Sequence, residues 1–302
     1  MSHWMEVRRR LLMAALSSGI DVTALAISYT GNMTDEIVTM GDGKQYRLLT
    51  LTSSGTLTTE QPVVADIWLC GGGAKGGKAW TGGNSGGHGG SGGFIAKQTK
   101  FTLQNLSCIV GAAAGNSSVS GDTLLTANCG TVDDMYKEPT VPMGTSGGGG
   151  RGSSVSHRAG LRGTGENAYP FEDDTYFSGK PHCAGGGGGN YRESEYAVSL
   201  QYESKGGNGG SNGSNGKTGG TFDSSHFNKD PGLGGALGGG KGGNGTGSLK
   251  ASAATFYGSG GGGGFVEEYE DDYGDRTDTI SNPSNGYQGV IYVRIPLDQR
   301  AA

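Results

Sequence analysis

The chain has 302 residues and a formal charge of −5, with 64 glycines and only 33% hydrophobic residues. That composition excludes a conventional apolar core over the whole length, and the charge speaks against nucleic acid as a partner, because a phosphate-tracking surface is normally basic. Collagen is excluded as well, since there are only 8 prolines and the Gly-X-Y phase keeps breaking.

Taken in order, residues 4–16 place Val7, Leu11 and Ala14-Ala15 at helical spacing beside Arg8 to Arg10, which predicts a short N-terminal helix. The apolar stretch Leu11–Leu16 is too short and too soon interrupted for a secretory signal, so the helix is expected to be retained. From residue 20 onward the pattern turns to short strands. Ile37–Met40 and Tyr46–Leu51 flank Gly41-Asp42-Gly43, a strong hairpin signal. Residues 1–60 therefore read as an N-terminal arm, a short helix plus a small β hairpin in which the helix is either frayed or a docking element, and residues 61–302 as the glycine-rich domain.

Val63–Cys70 is the strongest strand pattern, and it runs directly into Gly71-Gly72-Gly73. Phe94–Thr99, Phe101–Leu103 and Ser107–Val110 follow as strands. Near the end, Val290–Ile295 puts Ile291, Val293 and Ile295 on one face. The first and last of these are apolar and β-branched and bracket the glycine blocks, so they are expected to pair and close the domain.

Between them glycine recurs at every third position. Gly207, Gly210, Gly213, Gly216 and Gly219 keep the phase, as do Gly83, Gly86, Gly89 and Gly92, the parallel set Gly87, Gly90 and Gly93, and Gly239, Gly242 and Gly245. Three residues per turn is the period of the extended polyproline II helix, which makes no internal hydrogen bonds. Its backbone groups are satisfied when several such helices pack side by side with glycine at the contacts. The expected fold class is mainly β and irregular: a β-strand frame enclosing a packed bundle of polyglycine II helices, with a short N-terminal helix.

Chemistry is sparse. Gly72-Gly-Ala-Lys-Gly-Gly-Lys78 approaches a phosphate-binding loop, but Ala79 stands where a hydroxyl should hold magnesium, and Trp80-Thr81-Gly82-Gly83 starts no helix. His3, His88, His157, His182 and His226 show no ligand spacing, so no metal or cofactor is expected. His182-Cys183 reads as a loop histidine beside a buried thiol rather than part of a catalytic triad. Cys70, Cys108, Cys129 and Cys183 suit free thiols, with a Cys108–Cys129 bridge as the minor alternative. No apolar run approaches the ~20 residues of a membrane span. A non-enzymatic protein is expected.

The succession Ile67-Trp-Leu-Cys-Gly-Gly-Gly73, then Gly-Gly-x-Gly-Gly-x-Gly-Gly-Phe94, a Ser-Cys-Ile-Val-Gly-Ala strand, and a closing Gly-Tyr-Gln-Gly-Val-Ile-Tyr-Val-Arg-Ile resembles the glycine-rich domain of phage and prophage tail proteins over residues 55–296. It is similar, more distantly, to the glycine-rich ectodomain of anaplastic lymphoma kinase-type receptors. The first resemblance implies a tail-fibre or tail-tip adhesin in the virion. Its polyglycine lattice would present loops to a host-cell receptor, a glycan or an outer surface protein, and its N-terminal arm would join another virion protein. Homo-oligomers are compatible with this. A structural virion component without a receptor and a secreted ligand-binding module are the alternatives.

Glycine blocks offer almost no side chains, so recognition is expected in the segments that break composition. Tyr169–Phe177, Tyr191–Tyr202 and Phe265–Tyr273 mix aromatics with charges. In these loops Tyr176, Tyr191, Tyr196, Tyr269 and Tyr273 are the candidate receptor contacts, expected to gather at one end of the domain. Phe171 and Phe265 are the candidate buried caps of glycine helices.

Overall fold

A computed structural model describes residues 20–79, 87–121, 123–131, 169–180, 182–189, 191–195, 201–204, 251–264, 266–270, 273 and 275–298. The predicted N-terminal helix, the glycine runs at 207–219 and 239–245, Tyr196 and Phe265 lie outside these residues.

The frame is an eight-stranded sheet. Its strands are β1 (Ile27–Tyr29), β2 (Met33–Thr39), β3 (Gln45–Leu51), β4 (Gly55–Cys70), β5 (Ile95–Ile109), β6 (Ser117–Ser120), β7 (Leu124–Ala127) and β12 (Val290–Pro296). They run in the order β2-β3-β12-β4-β5-β6-β7, with β1 also against β4. The expected closure is present: β12 pairs antiparallel with β4, Val290 opposite Cys70 and Arg294 opposite Asp66. The Asp-Gly hairpin joins β2 to β3, with Gly43 at φ 75° and the Gly43 N–H donating to the Met40 carbonyl at 2.9 Å. Strands β1–β3 and the start of β4 belong to this same sheet, and residue 60 falls inside β4.

Both faces of the central strands are buried, which explains why Val63–Cys70 reads as a nearly unbroken apolar run. One face holds Leu49, Leu51, Ile67, Leu69, Leu103, Ile291, Val293 and Ile295 beneath Ile20, Val22 and Leu25. The opposite face holds Tyr46, Leu48, Trp68, Cys70, Val290 and Tyr292, covered by Phe177 and Cys183. Arg47 fastens the first cover. Its guanidinium donates to the carbonyls of Val22 and Leu25 at 2.9 and 2.7 Å and pairs with Asp35 at 2.6 Å.

At one end of the sheet three strands become glycine segments together. Chain leaves β4 at Gly71, enters β5 from Gly93, and enters β12 from Gly289. The segments 71–77, 87–93, 184–189, 258–264 and 284–289 then bond to one another through the backbone. The N–H groups of Gly87, Gly90 and Gly93 donate to the carbonyls of Gly264, Gly261 and Gly258 at 2.7–2.9 Å, every third residue on both sides. Gly186 and Gly189 donate to Gly90 and Gly87, Gly260 and Gly263 to Ala184 and Gly187, and Gly261 and Gly264 to Ala74 and Gly77. Gly73 and Gly76 donate to Tyr287 and Ser284. Segment 258–264 thus has neighbours on several sides, as a three-residue turn requires when it points successive N–H groups in different directions. Among the described glycines only Gly43, Gly179 and Gly258 have positive φ, so past Gly258 the lattice glycines have the sign of φ, and the bonding period of three, that a left-handed polyglycine II helix requires. A Cβ on Gly186 would lie 2.0 Å from the Gly261 carbonyl oxygen, and one on Gly260 would lie 1.9 Å from that of Gly90. The contacts are backbone against backbone, and no side chain fits between them.

Candidate functional site: the tyrosine-bearing sheet at the lattice end

The lattice runs away from the large sheet and ends in a second one. Gly258 sits beside Cys70 where the large sheet stops, whereas Gly264 bonds to Gly77 and Gly87 at the far end. Segment 184–189 leads to β8 (Tyr191–Glu195), and 258–264 leads to β10 (Val266–Glu270). With β9 (Gln201–Ser204) and β11 (Arg276–Ile280) they form a four-stranded sheet in the order β11-β10-β8-β9.

The pairing of β8 with β10 is parallel, Val266 opposite Tyr191 and Tyr269 opposite Ser194. Parallel pairing normally needs a covered crossover. Here its direction is inherited: 258–264 and 184–189 already run side by side in the same sense through the Gly260–Ala184 and Gly263–Gly187 bonds. The strands β9 and β11 then add antiparallel edges. Segments 191–195 and 266–270, expected to be loops, are therefore strands. Register imposed by the lattice overrides the weak strand preference of their glutamates.

This sheet brings together Tyr191 on β8, Tyr269 on the adjacent β10, and Tyr273 in the turn between β10 and β11, where it is 92% exposed. The four strands contain the carboxylates Glu193, Glu195, Glu203, Glu267, Glu268, Glu270 and Asp278 against Arg192 and Arg276. The structure does not bring Tyr176 there. Tyr176 lies against the large sheet, where its hydroxyl donates to Glu36 of β2 at 3.0 Å and its ring meets Phe177 edge-on at 4.9 Å. Burial, then Glu36, pushes that hydroxyl up to about 12. Lys180 stands over the ring at 5.4 Å. Among the described residues Phe171 packs on the large sheet instead: the Arg294 guanidinium lies 4.5 Å from its ring centre and 4.6 Å from that of Tyr46.

Two arrangements escape sequence reading. The first is a groove of 590 Å³ where β12 ends between β3 and β4, lined by Lys44, Tyr46, Ala65, Asp66, Lys100 and Leu297 among others. A bulge makes it: between Ala65 and Ile67 the register against β5 shifts, and Lys100 takes φ 53° with its N–H on Asp66. Nothing in the residues around Lys100 announces this. The second is an aromatic cage around His182, the expected loop histidine beside the buried Cys183 thiol, which is itself fully buried. Its Nε2 is 2.9 Å from the Tyr292 hydroxyl, and Trp68, Phe177, Phe256 and Tyr257 surround the ring. Burial lowers its pKa to about 3 despite the Lys180 carbonyl, so it is neutral and serves packing.

Among the described residues no cluster of three or more His, Cys, Asp or Glu is placed to hold a metal ion, and no helix is long and apolar enough to cross a membrane. The structure shows all four cysteines unbonded, with no Cys108–Cys129 bridge.

A mainly β frame, a backbone-bonded glycine interior and strands that feed it from both sides define a glycine-rich domain. The chain belongs to the glycine-rich domain family, whose model matches residues 52–296, from the end of β3 through β12. No curated protein matches the sequence.

Proposed function

We propose that this is a non-enzymatic binding protein of a virion, a phage tail-fibre or tail-tip adhesin. Its glycine lattice is a rigid stalk, and its distal sheet is the recognition surface. The observation that carries the reading is the continuity of lattice segments 184–189 and 258–264 with the strands that bear Tyr191 and Tyr269. A stem without side chains has nothing to recognise with, whereas tyrosines among charges supply contact area at small entropic cost. The receptor is a host-cell surface glycan or outer surface protein, and the N-terminal arm attaches the domain to another virion protein. Tyr176 anchors the segment 169–180 to β2 in this reading, and the contacts fall to Tyr191, Tyr269 and Tyr273, with Tyr196 in the connection after β8.

The test is attachment of fluorescently labelled full-length protein to candidate host bacteria, with Tyr269→Ala and Tyr273→Ala. Loss of attachment at unchanged melting temperature supports the reading. Attachment that survives both substitutions overturns the assignment of the surface, and a protein that assembles into particles yet attaches to no host that the particles infect is a structural virion component instead.

A further inference from the structure

We propose that Cys70 and Cys183 are a disulfide site, a covalent staple between the end of β4 and the lattice. Cys70 is the last residue of β4, Cys183 opens the segment 183–189, and both are fully buried. Their sulfurs converge on one methyl-sized volume: a Cβ on Gly258 would lie 2.7 Å from the Cys183 Sγ and 3.0 Å from the Cys70 Sγ. Burial first, and then the neighbouring Cys183 thiol, push the Cys70 thiol up.

The backbone on both sides of the pair is bent to allow this approach. Cys183 has φ 55°, a left-handed conformation uncommon for a residue with a side chain, and Gly258 facing it has φ 69°. Any residue other than glycine at 258 would collide with both sulfurs. Cys108 instead points its thiol at the Leu106 carbonyl, and Cys129 is only partly buried.

Oxidation requires an external disulfide, of the class of glutathione disulfide. The thiolate of one cysteine attacks a sulfur of the oxidant, forming a mixed disulfide and releasing one small thiol. The thiolate of the second cysteine then attacks the protein sulfur of that mixed disulfide. The protein S–S bond forms, the second small thiol leaves, and the two protons lost by the cysteines end on the released thiols. Burial holds the Cys70 thiol well above its usual range, so the reaction belongs to the folding chain, before the lattice closes over the pair. The bond would close a loop of roughly 110 residues, the long-range kind expected to restrict the unfolded chain most.

The test is refolding of denatured full-length protein in a glutathione disulfide and glutathione buffer, followed by alkylation, non-reducing digestion and mass spectrometry. The expected product carries a Cys70–Cys183 peptide with Cys108 and Cys129 alkylated, so free thiols fall from four to two. Reductant should lower its melting temperature by roughly 5 °C or more. Cys70→Ala and Cys183→Ala should each abolish that sensitivity, so that one variant serves if the other folds poorly. Four free thiols after refolding, or a bond to Cys108 or Cys129, would overturn the proposal.

Discussion

Gly261→Ala is the sharpest probe of the lattice, because the substitution adds one methyl group in a conformation that alanine readily adopts. Gly261 donates to the Ala74 carbonyl and accepts from the Gly90 N–H, both at 2.9 Å, and its φ is not in the left-handed region. Its Cβ would stand 2.1 Å from the Ser284 carbonyl oxygen and 2.6 Å from the carbonyl carbon of Asn285. These are backbone atoms that no rotamer change removes. Restoring contact distance moves segment 284–285 by roughly 1 Å or more, since carbon and its neighbours settle near 3.5–4.0 Å. That displacement breaks or strains three bonds: Ser284 N–H to Gly262, Gly76 N–H to Ser284, and Ala254 N–H to Asn285.

Each such bond is worth about 1 kcal/mol net and about 2 when a buried group is left stranded, so the loss is about 3–6 kcal/mol. Stiffening of the unfolded chain returns about 0.4–1 kcal/mol. The expected net cost is about 2–5 kcal/mol, a fall in melting temperature of roughly 5–20 °C for a domain of this size. Urea denaturation followed by circular dichroism measures it. Gly43→Ala is the control: its φ is 75° and open space surrounds it, so it costs only about 1–2 kcal/mol of backbone strain. If Gly261→Ala stays within about 0.5 kcal/mol of the wild type, the backbone-to-backbone packing is not what holds the interior.

Two further tests address the buried polar groups. His182 has a folded pKa of about 3 against 6.5 for the ordinary group, so its neutral form is preferred in the fold. Below pH 6.5 the unfolded chain takes up a proton that the folded chain refuses, and stability is lost as pH falls from 6.5 towards about 3, with a limiting slope of about 1.4 kcal/mol per pH unit. His182→Gln should flatten that part of the profile relative to wild type, and identical slopes in urea titrations from pH 7 to pH 4 would refute the assignment. Arg294 pairs with Asp66 at 2.7 Å with both side chains mostly buried, so Arg294→Met should cost about 2–4 kcal/mol in the same assay. A neutral result there would mean that stacking between Tyr46 and Phe171 does not depend on the charge.

What the chain discloses about itself depends on whether a feature is written locally. The pairing of β4 with β12 is legible because both carry apolar, β-branched runs that only a doubly covered sheet can use, and the Asp42-Gly43 turn is legible because its chemistry is confined to a few residues. The period of three is equally legible, yet it says only that glycine segments pack. It does not say which segments are neighbours, since every one offers the same N–H and C=O groups. Partners are fixed instead by the side-chain-bearing strands around the lattice: Cys70 opposite both Val290 and Ile95 sets the register with which segments 71–77, 87–93 and 284–289 enter it. The distal sheet inherits its order in turn, which is why Tyr191–Glu195 and Val266–Glu270, acidic and poor in strand formers, read as loops. The position of Tyr176 is hidden for the converse reason. Beside Asp173, Asp174 and Lys180 it looks like a contact residue, but its partner Glu36 is 140 residues away in sequence and no local pattern announces it. The same holds for the Cys70–Cys183 pair. Information about what the glycine interior touches therefore resides in the few residues at its two ends, and substitutions there should change the lattice register where most substitutions elsewhere would only change its stability.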